Sequence, residues 1–324
     1  MFDNIKLEKG LYNLSGKNFI DALEEADPSE NYVGTPMEKL DAFERQLKRF
    51  DIKLNGPHCD KVEKFFSTTE TAVLFPEYMK RCIVQGIEDS KLGELIAVKT
   101  IVNATVYKGL SITDASSYSA TISAGTLIPD STFSETSTTY DIKKFARLIN
   151  CPYEIIRQQN LDVFGLQLRV IGRKIGLGIY SKALSAITDS ASAITISGSA
   201  LAYSDLINLF GQFTNYNVTT IIASPTVCAK ILQLSEISDH CCCTNNNNEI
   251  ILPFGAKLIK STMVSDTKIL AIDKNFAIEY VTTSDIYMET DKVINRQLDC
   301  LSVSVPCLFR ALVTDAMKVL NLTK

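Results

Sequence analysis

The side chains able to do chemistry in this chain are few and poorly grouped. Two histidines, His58 and His240, and nine cysteines, Cys59, Cys82, Cys151, Cys228, Cys241, Cys242, Cys243, Cys300 and Cys307, supply every imidazole and thiol. The densest set is His240-Cys241-Cys242-Cys243, followed by Thr244 and the asparagines Asn245 to Asn248. Imidazole and thiolate suit zinc, but structural zinc sites draw their ligands in pairs from two short turns, as in C-x-x-C. Four adjacent residues cannot all face one ion without a contorted backbone. The run therefore reads as an exposed, asparagine-rich loop with incidental thiols. A hydrolytic site would need a histidine within hydrogen-bond reach of a nucleophile, and both histidines lie in loop-like segments with no motif around them.

The remaining motifs are equally sparse. Asp285, Glu289 and Asp291 gather negative charge without the glycine and ligand spacing of a calcium loop, and read as a solvated edge. The sequence holds no G-x-x-x-x-G-K-[ST] phosphate loop, no dinucleotide-binding glycines after a strand and no G-x-S-x-G elbow. No residue is assigned a catalytic, cofactor-binding or metal-binding role, and the chain is expected not to be an enzyme. The cysteine number is odd, and most of the thiols sit in apolar runs such as Leu298-Asp299-Cys300-Leu301. That predicts reduced, buried thiols, not a disulfide framework.

What positions so little chemistry is a large amount of ordinary protein. At 324 residues, 46% hydrophobic and 22% charged, the chain can bury a substantial core. Its formal net charge of −4 and lack of any block of like charge argue against a protein that grips nucleic acid by itself. The opening residues, Met1-Phe2-Asp3-Asn4-Ile5-Lys6, lack the charged-then-apolar order of a signal peptide. No apolar run is long enough to span a membrane as a helix.

Residues 1–66 are charge-rich and read as short helices joined by loops. Thr35-Pro36-Met37-Glu38 has the form of a capping box with proline at the first helical position. Met37, Leu40, Phe43, Leu47 and Phe50 then recur at helical spacing, with Glu38, Asp41, Glu44, Arg45, Lys48 and Arg49 opposite. Such a stripe needs a surface to lie on, either its own domain or a neighbouring subunit. A second helix is predicted from Pro76-Glu77 to about Asp89, with Tyr78, Cys82, Ile83 and Ile87 buried.

Residues 95–140 change character. Val98 to Val102 is strand-like, and Ser111 to Thr139 is dominated by Ser, Thr and Ala. Strand-formers with little apolar mass cannot build a core of their own, so the stretch predicts a long two-stranded ribbon projecting from the body, the alternative being a long flexible surface loop. A monomer gains nothing from such a ribbon, whereas a subunit of an assembly can lay it on its neighbour. After a strand over Tyr140–Ile149 and a short helix from Pro152, a helix is predicted over about Leu161–Thr188, capped by Asn160 or Asp162. At 1.5 Å per residue it would be about 40 Å long. Gly165, Gly172, Gly176 and Gly178 within it each weaken a helix by up to about 1 kcal/mol, which predicts another backbone packed close by. Arg169, Arg173 and Lys174 exclude a lipid-buried helix.

Residues 200–284 alternate helix and strand: a helix over Tyr203–Phe213 capped by Ser204, a buried strand over Val218–Ala223, and a helix from Ser224-Pro225 to Leu234. Strands follow over Glu249–Leu252, Ala256–Ile259, Lys268–Ile272 and Ala277–Val281. Asp285 to Leu322 is β-rich again, ending in a strand or short helix.

This order of elements resembles the major capsid proteins of tailed bacteriophages, with the Hong Kong 97-type fold, over about residues 70–324. Phe133-Ser134-Glu135-Thr136, then Ile142 to Ala146, then Cys151-Pro152-Tyr153-Glu154-Ile155-Ile156 resemble the strand and short helix that lead into the family's spine helix. Thr220 to Thr226 resembles the axial-domain strand with its proline-started helix, and Leu252-Pro253-Phe254-Gly255 to Ile259 the glycine-then-strand step after it.

The resemblance implies an α+β fold with an N-terminal arm (1–75), an extended β-ribbon, the E-loop (95–140), a peripheral domain with the spine helix (141–190 and 285–313), and an axial domain (191–284 and 314–324). It implies a structural subunit that forms pentamers and hexamers of an icosahedral head around double-stranded DNA, contacted without sequence specificity. The implied partners are other copies of the chain, a scaffolding protein and a portal protein, with no membrane. The place is the virion capsid, assembled in the bacterial host cytoplasm. The type member loses a large N-terminal segment by cleavage; only about 70 residues precede the resembling region here, which favours a separate scaffold. Some members cross-link lysine to asparagine; Lys99 and Lys108 lie in or near the ribbon, without a pattern that carries this over. The alternatives are an encapsulin-like nanocompartment shell holding cargo enzymes, and a cytosolic enzyme using the cysteine-rich loop.

Overall fold

A computed structural model describes residues 6–13, 17–114, 121–238, 249–283 and 286–323. The described helices are α1 (Phe19–Ala26), α2 (Ala42–Arg49), α3 (Thr69–Glu88), α4 (Tyr153–Arg157), α5 (Leu161–Ser190), α6 (Tyr203–Gly211), α7 (Pro225–Leu232) and α8 (Ser235–Ser238). The strands are β1 (Ile96–Ile101), β2 (Val106–Asp114), β3 (Ser131–Asp141), β4 (Lys143–Pro152), β5 (Ser192–Thr195), β6 (Thr220–Ala223), β7 (Ile250–Ile251), β8 (Lys257–Lys260), β9 (Lys268–Ile272), β10 (Ile278–Thr282), β11 (Tyr287–Val293), β12 (Leu298–Ala311) and β13 (Met317–Asn321). They fall into two compact units: Met1–Gly93, Ala146–Ser181 and Ile286–Ser304 form the first, and Glu94–Phe145, Lys182–Asp285 and Val305–Lys324 the second.

The first unit is organised by two long helices whose backbones touch. A Cβ built on Gly172 of α5 would overlap the carbonyl oxygen of Ile83, and one on Gly86 of α3 would overlap the carbonyl of Arg169. A Cβ on Gly165 would meet the Tyr78 hydroxyl at 2.5 Å, and one on Gly176 the Ile87 oxygen at 2.9 Å. Of the four glycines expected to admit another backbone, Gly172 and Gly176 do so; Gly165 faces α3 side chains, and Gly178 is exposed. Arg169 of α5 ties the pair further, its guanidinium bonding the Asp89 carboxylate at 2.5 and 2.7 Å. Around the contact lie Leu74, Ile83, Leu161, Leu168 and Ile179, all buried.

Residues 17–66 pack on α3, the first of the two readings of that segment. Arg81 of α3 bonds Asp41 at 2.6 Å and covers the Phe43 ring, and Tyr12 donates to the Val73 carbonyl at 2.8 Å. Three sequence expectations fail here. Thr35 starts no helix: its hydroxyl turns back to the Tyr32 carbonyl at 2.6 Å, and Glu38 accepts from the Gly34 N–H. The helix begins at Asp41, whose carboxylate accepts from the Glu44 N–H at 2.8 Å in a true capping box. Arg45, expected on the wet face, is fully buried. Its guanidinium bonds the Asp27 carboxylate (3.0 Å), the Asp27 carbonyl, the Ser29 hydroxyl (2.9 Å), the Leu40 carbonyl (2.8 Å) and Glu24 (3.2 Å). Pro76, expected to open a helix, sits inside α3, which Thr68 caps well before the proline. An interior proline forfeits one N–H bond; burial of Val73, Leu74, Tyr78 and Met79 on both sides offsets it. In the same unit β11 pairs antiparallel with the start of β12, Tyr287 opposite Ser304 through Val293 opposite Leu298.

The second unit holds a six-stranded sheet in the order β5-β13-β9-β6-β8-β7. Its central strand β6 is buried at every residue, flanked by parallel β8 and antiparallel β9. Helices α6 and α7 cover it through Leu206, Leu209, Val227 and Ile231. Ser224 caps α7 as expected, accepting from the Val227 N–H at 3.2 Å ahead of Pro225. Ser204 does not cap α6. The first turn is held by Asp205, which accepts from the Ala202 N–H (3.0 Å) and from the Ser197 N–H and hydroxyl (3.1 and 2.7 Å). Burial alone would raise this carboxyl, but the Ser197 and Ala202 bonds outweigh it and hold the pKa below the usual carboxylate range.

Because the folded pKa is depressed, the Asp205 contribution is present above the unfolded carboxylate value and is lost as pH falls through the folded one. Asp205→Ala is expected to cost about 2 kcal/mol at pH 7. The gap between variant and wild type should narrow below about pH 4, where an unfolded aspartate protonates. Urea unfolding across pH 2.5–7 checks it, and a gap independent of pH would contradict the assignment.

Candidate interaction surface

Strands β2 and β3 of the second unit form a two-stranded sheet of their own. Val106, Tyr107 and Lys108 face Asp141, Tyr140 and Thr139; beyond an irregularity, Leu110 to Asp114 face Glu135 to Ser131. The shift sets Gly109 against Thr136–Thr138, where the Thr136 hydroxyl donates to the Gly109 carbonyl at 3.2 Å. Glycine is the residue expected at such a bulge. The expected ribbon is present in its described parts; residues 115–120 lie outside them.

The two-residue period of the strands sends Leu110 and Ile112 to one face, with Phe133 directly opposite Ile112. All three are exposed, as is Val106. Toward the tip Leu127 is 96% exposed and Ile128 72%, beside a turn in which Thr126 N–H reaches the Ser123 carbonyl and Gly125 takes a φ of 87°. An isolated hairpin is marginal in water, and exposed apolar side chains gathered on one element mark a contact surface.

The base is held by ionic bonds. Glu279 of β10 and Arg310 of β12 are cross-strand partners, 5% and 7% exposed, joined at 3.3 Å. The same carboxylate accepts from the Tyr107 hydroxyl at 2.8 Å and the Thr100 hydroxyl at 2.6 Å. Burial, then the Glu279 carboxylate, raises the Tyr107 pKa above its ordinary value. The other end of the Arg310 guanidinium donates to the Leu110 carbonyl at 2.7 Å. Sequence reasoning missed this group. The signal was present: one charge of each sign stands inside the apolar runs Ala277-Ile278-Glu279-Tyr280-Val281 and Leu308-Phe309-Arg310-Ala311.

The residues singled out for chemistry are not brought together. His58 is exposed in a loop, and Glu289 and Asp291 are exposed on β11. His240 to Cys243, Asn245 to Asn248 and Asp285 lie outside the described residues. Of the described cysteines, only Cys228 and Cys307 are buried; Cys59, Cys82, Cys151 and Cys300 are partly exposed, fewer buried thiols than expected. Burial pushes Cys307 up to about 12, against a lowering bond from Tyr280, which keeps it a thiol. Lys108 lies 3.9 Å from Glu135 on the ribbon. Among the described residues no group of three or more His, Cys, Asp or Glu is placed to hold a metal ion, and no helix is long and apolar enough to cross a membrane.

Comparison with known proteins gives one family and one fold. The model of the family described as phage capsid protein matches residues 135–305. No curated protein matches the sequence. Among solved structures, the capsid of a native GTA particle superposes with a TM-score of 0.54 at 10% identity, covering 72% of this chain and 91% of that one. The SrpI encapsulin of Synechococcus elongatus PCC 7942 gives 0.56 at 15% identity, covering 74% and 89%. The capsid protein of cyanophage P-SCSP1u gives 0.53 at 15% identity, covering 70% and 86%.

Proposed function

The chain belongs to the phage capsid protein family, and from that premise we propose that it is the major subunit of an icosahedral tailed-phage head, assembling as pentamers and hexamers around double-stranded DNA. It is a structural shell protein of the virion with the Hong Kong 97-type fold. One observation carries the proposal further than the family: a ribbon fixed at its base by Glu279 and Arg310 carries exposed Leu110, Ile112, Phe133, Leu127 and Ile128. Such a ribbon is stable only when laid against another surface, and in a shell that surface is the next subunit. Its residues belong to the E-loop assigned to 95–140.

The six-stranded sheet over 192–321 supports the axial assignment of 191–284 and 314–324, and α5 the spine of the peripheral domain over 141–190 and 285–313. The segment 1–75 takes the place of the family's N-terminal arm. A net charge of −4 suits a container that must hold its genome without binding it tightly. Scaffolding and portal proteins are the further partners. A second reading, a nanocompartment around cargo enzymes, is favoured by the likeness to the SrpI encapsulin.

Electron microscopy of the purified protein, expressed alone and with its neighbouring genes, tests both readings. Closed shells that are empty or DNA-filled are expected; protein cargo inside would select the nanocompartment, and uniform small particles under every condition would sink the shell reading. A paired prediction concerns the ribbon tip. Leu127→Asp with Ile128→Asp is expected to leave subunit stability within about 0.5 kcal/mol, because both side chains face water. The tip contact should weaken by about 2 kcal/mol per side chain, and closed shells should largely disappear from sedimentation profiles. Shells at the wild-type yield would mean that the tip does not bear the contact.

A further inference from the structure

Among the described residues of the ribbon, 106–112 and 131–141, only Gly109 is buried. The atoms over it are the Nη1, Cζ and Nε of Arg310: a Cβ at 109 would overlap the first two and stand 2.5 Å from the third. The apolar side chains of the ribbon face solvent, so they do nothing to hold its base. What holds it is directional: Arg310 Nη1 to Glu279 at 3.3 Å, Arg310 Nη2 to the Leu110 carbonyl at 2.7 Å, and the Tyr107 hydroxyl to the same Glu279 at 2.8 Å.

We infer that Arg310 is the positioning residue of the ribbon, and that its guanidinium, seated over the Gly109 bulge, sets the direction in which β2 and β3 leave the separate sheet in which β10 pairs with β1 and β12. Apolar packing is non-directional, whereas a planar guanidinium bonding at two edges fixes an angle as well as a distance. One edge belongs to the sheet, through Glu279 of β10; the other belongs to the ribbon, through the carbonyl of Leu110. Only glycine leaves room for the plate. Alanine at 109 can be accommodated, because the obstructing atoms end a flexible side chain, but the guanidinium must then give up Leu110 or Glu279. The fold survives and the aim is lost. The inference rests on the shell reading for its consequence: subunits with a loosely aimed ribbon cannot all meet their neighbours at one angle.

Three full-length variants test it: Gly109→Ala, Arg310→Lys, and Gly211→Ala as a control whose Cβ would meet nothing within 4 Å. Hydrogen exchange is read on unassembled subunits, and shells are imaged by electron microscopy. Gly109→Ala and Arg310→Lys are expected to unfold near the wild-type temperature. Exchange at residues 106–112 and 131–141 should be faster by about tenfold or more, the scale of one lost hydrogen bond to a charged group. Their shells should be open or mixed in diameter, with Gly211→Ala like wild type. Wild-type exchange in the ribbon together with uniform shells would overturn the inference. Should wild type form no shells, the shell reading fails, and the exchange comparison alone decides the role of Arg310. Should Gly109→Ala not fold, Tyr107→Phe, which removes one hydroxyl from Glu279, replaces it, and unchanged ribbon exchange there and in Arg310→Lys overturns the inference.

Discussion

Replacing Arg45 with methionine is expected to remove about 3–5 kcal/mol of subunit stability, the cost of breaking a buried ion pair from one side. The guanidinium has no exposed surface, and its Asp27 partner is 3% exposed. In the variant Asp27 keeps the Tyr32 hydroxyl at 2.7 Å and the Gln46 amide at 3.3 Å, but no cation. The Asp27 and Leu40 carbonyls and the Ser29 hydroxyl lose their donor at the same time. Methionine fills much of the volume and recovers none of these bonds. Arg45→Lys should lie between the two, since an ammonium reaches one or two acceptors where the planar fork reaches five. Urea unfolding of dissociated subunits measures the loss. Adding Asp27→Leu to Arg45→Met should return part of it, because removing both charges is far less costly than removing one. A loss under about 1 kcal/mol for the single variant would mean that water enters the site.

Gly172→Ala is expected to destabilise by about 2 kcal/mol or more, against the usual sign for a glycine inside a helix. Alanine gains up to about 1 kcal/mol over glycine in an exposed helix, and Gly211→Ala should be neutral or stabilising by up to that amount. At Gly172 the new methyl would overlap the carbonyl oxygen of Ile83 and stand 2.9 Å from its carbonyl carbon and 3.0 Å from its Cα. Those atoms are backbone of α3 and cannot swing aside as a side chain can. The helices must part, and overpacking of this kind typically costs about 1–3 kcal/mol, occasionally more. Gly86 presses on Arg169 and Arg173 of α5 in the reciprocal sense, so relief cannot come from sliding one helix along the other. Thermal unfolding of the two alanine variants side by side gives the comparison. Equal behaviour would show that α3 and α5 do not touch through their backbones.

The large elements were legible because each carries its signal locally. Helical spacing over about Leu161–Thr188 announced α5, the Ser224-Pro225 pair announced α7, and the Ser/Thr-rich stretch announced β2 and β3. The Hong Kong 97-type fold followed from their order. Helix starts were less legible, because several sequences can satisfy the same local rule. Thr35-x-x-Glu38 and Asp41-x-x-Glu44 both have capping-box form; Arg81, 40 residues downstream, bonds Asp41 and helps the second prevail. Ser204 looks like a cap until Asp205 is seen to collect three bonds from Ser197 and Ala202. The anchor of the ribbon was missed because Glu279, Arg310 and Gly109 lie far apart in sequence, and only the strand register brings the first two opposite each other. Each was visible as an oddity, a charge in an apolar strand or a glycine in a polar one, without a partner to give it meaning.

The parallel pairing of β1 with β10 sets Ile101 beside Thr282, and this separation has a consequence for synthesis. A ribosome adding about 5–20 residues per second releases β1 roughly 10–40 seconds before the strand it must join. Through that interval β1 is an unpaired edge, and the ribbon beyond it displays Leu110, Ile112 and Phe133 to any other nascent chain nearby. β10 in turn waits for Thr282 to Ile278 to be matched by Cys307 to Ala311. The subunit therefore becomes competent to join a neighbour only once residues 307–311 have been made, and a chain released before them presents its adhesive element without the platform beneath it.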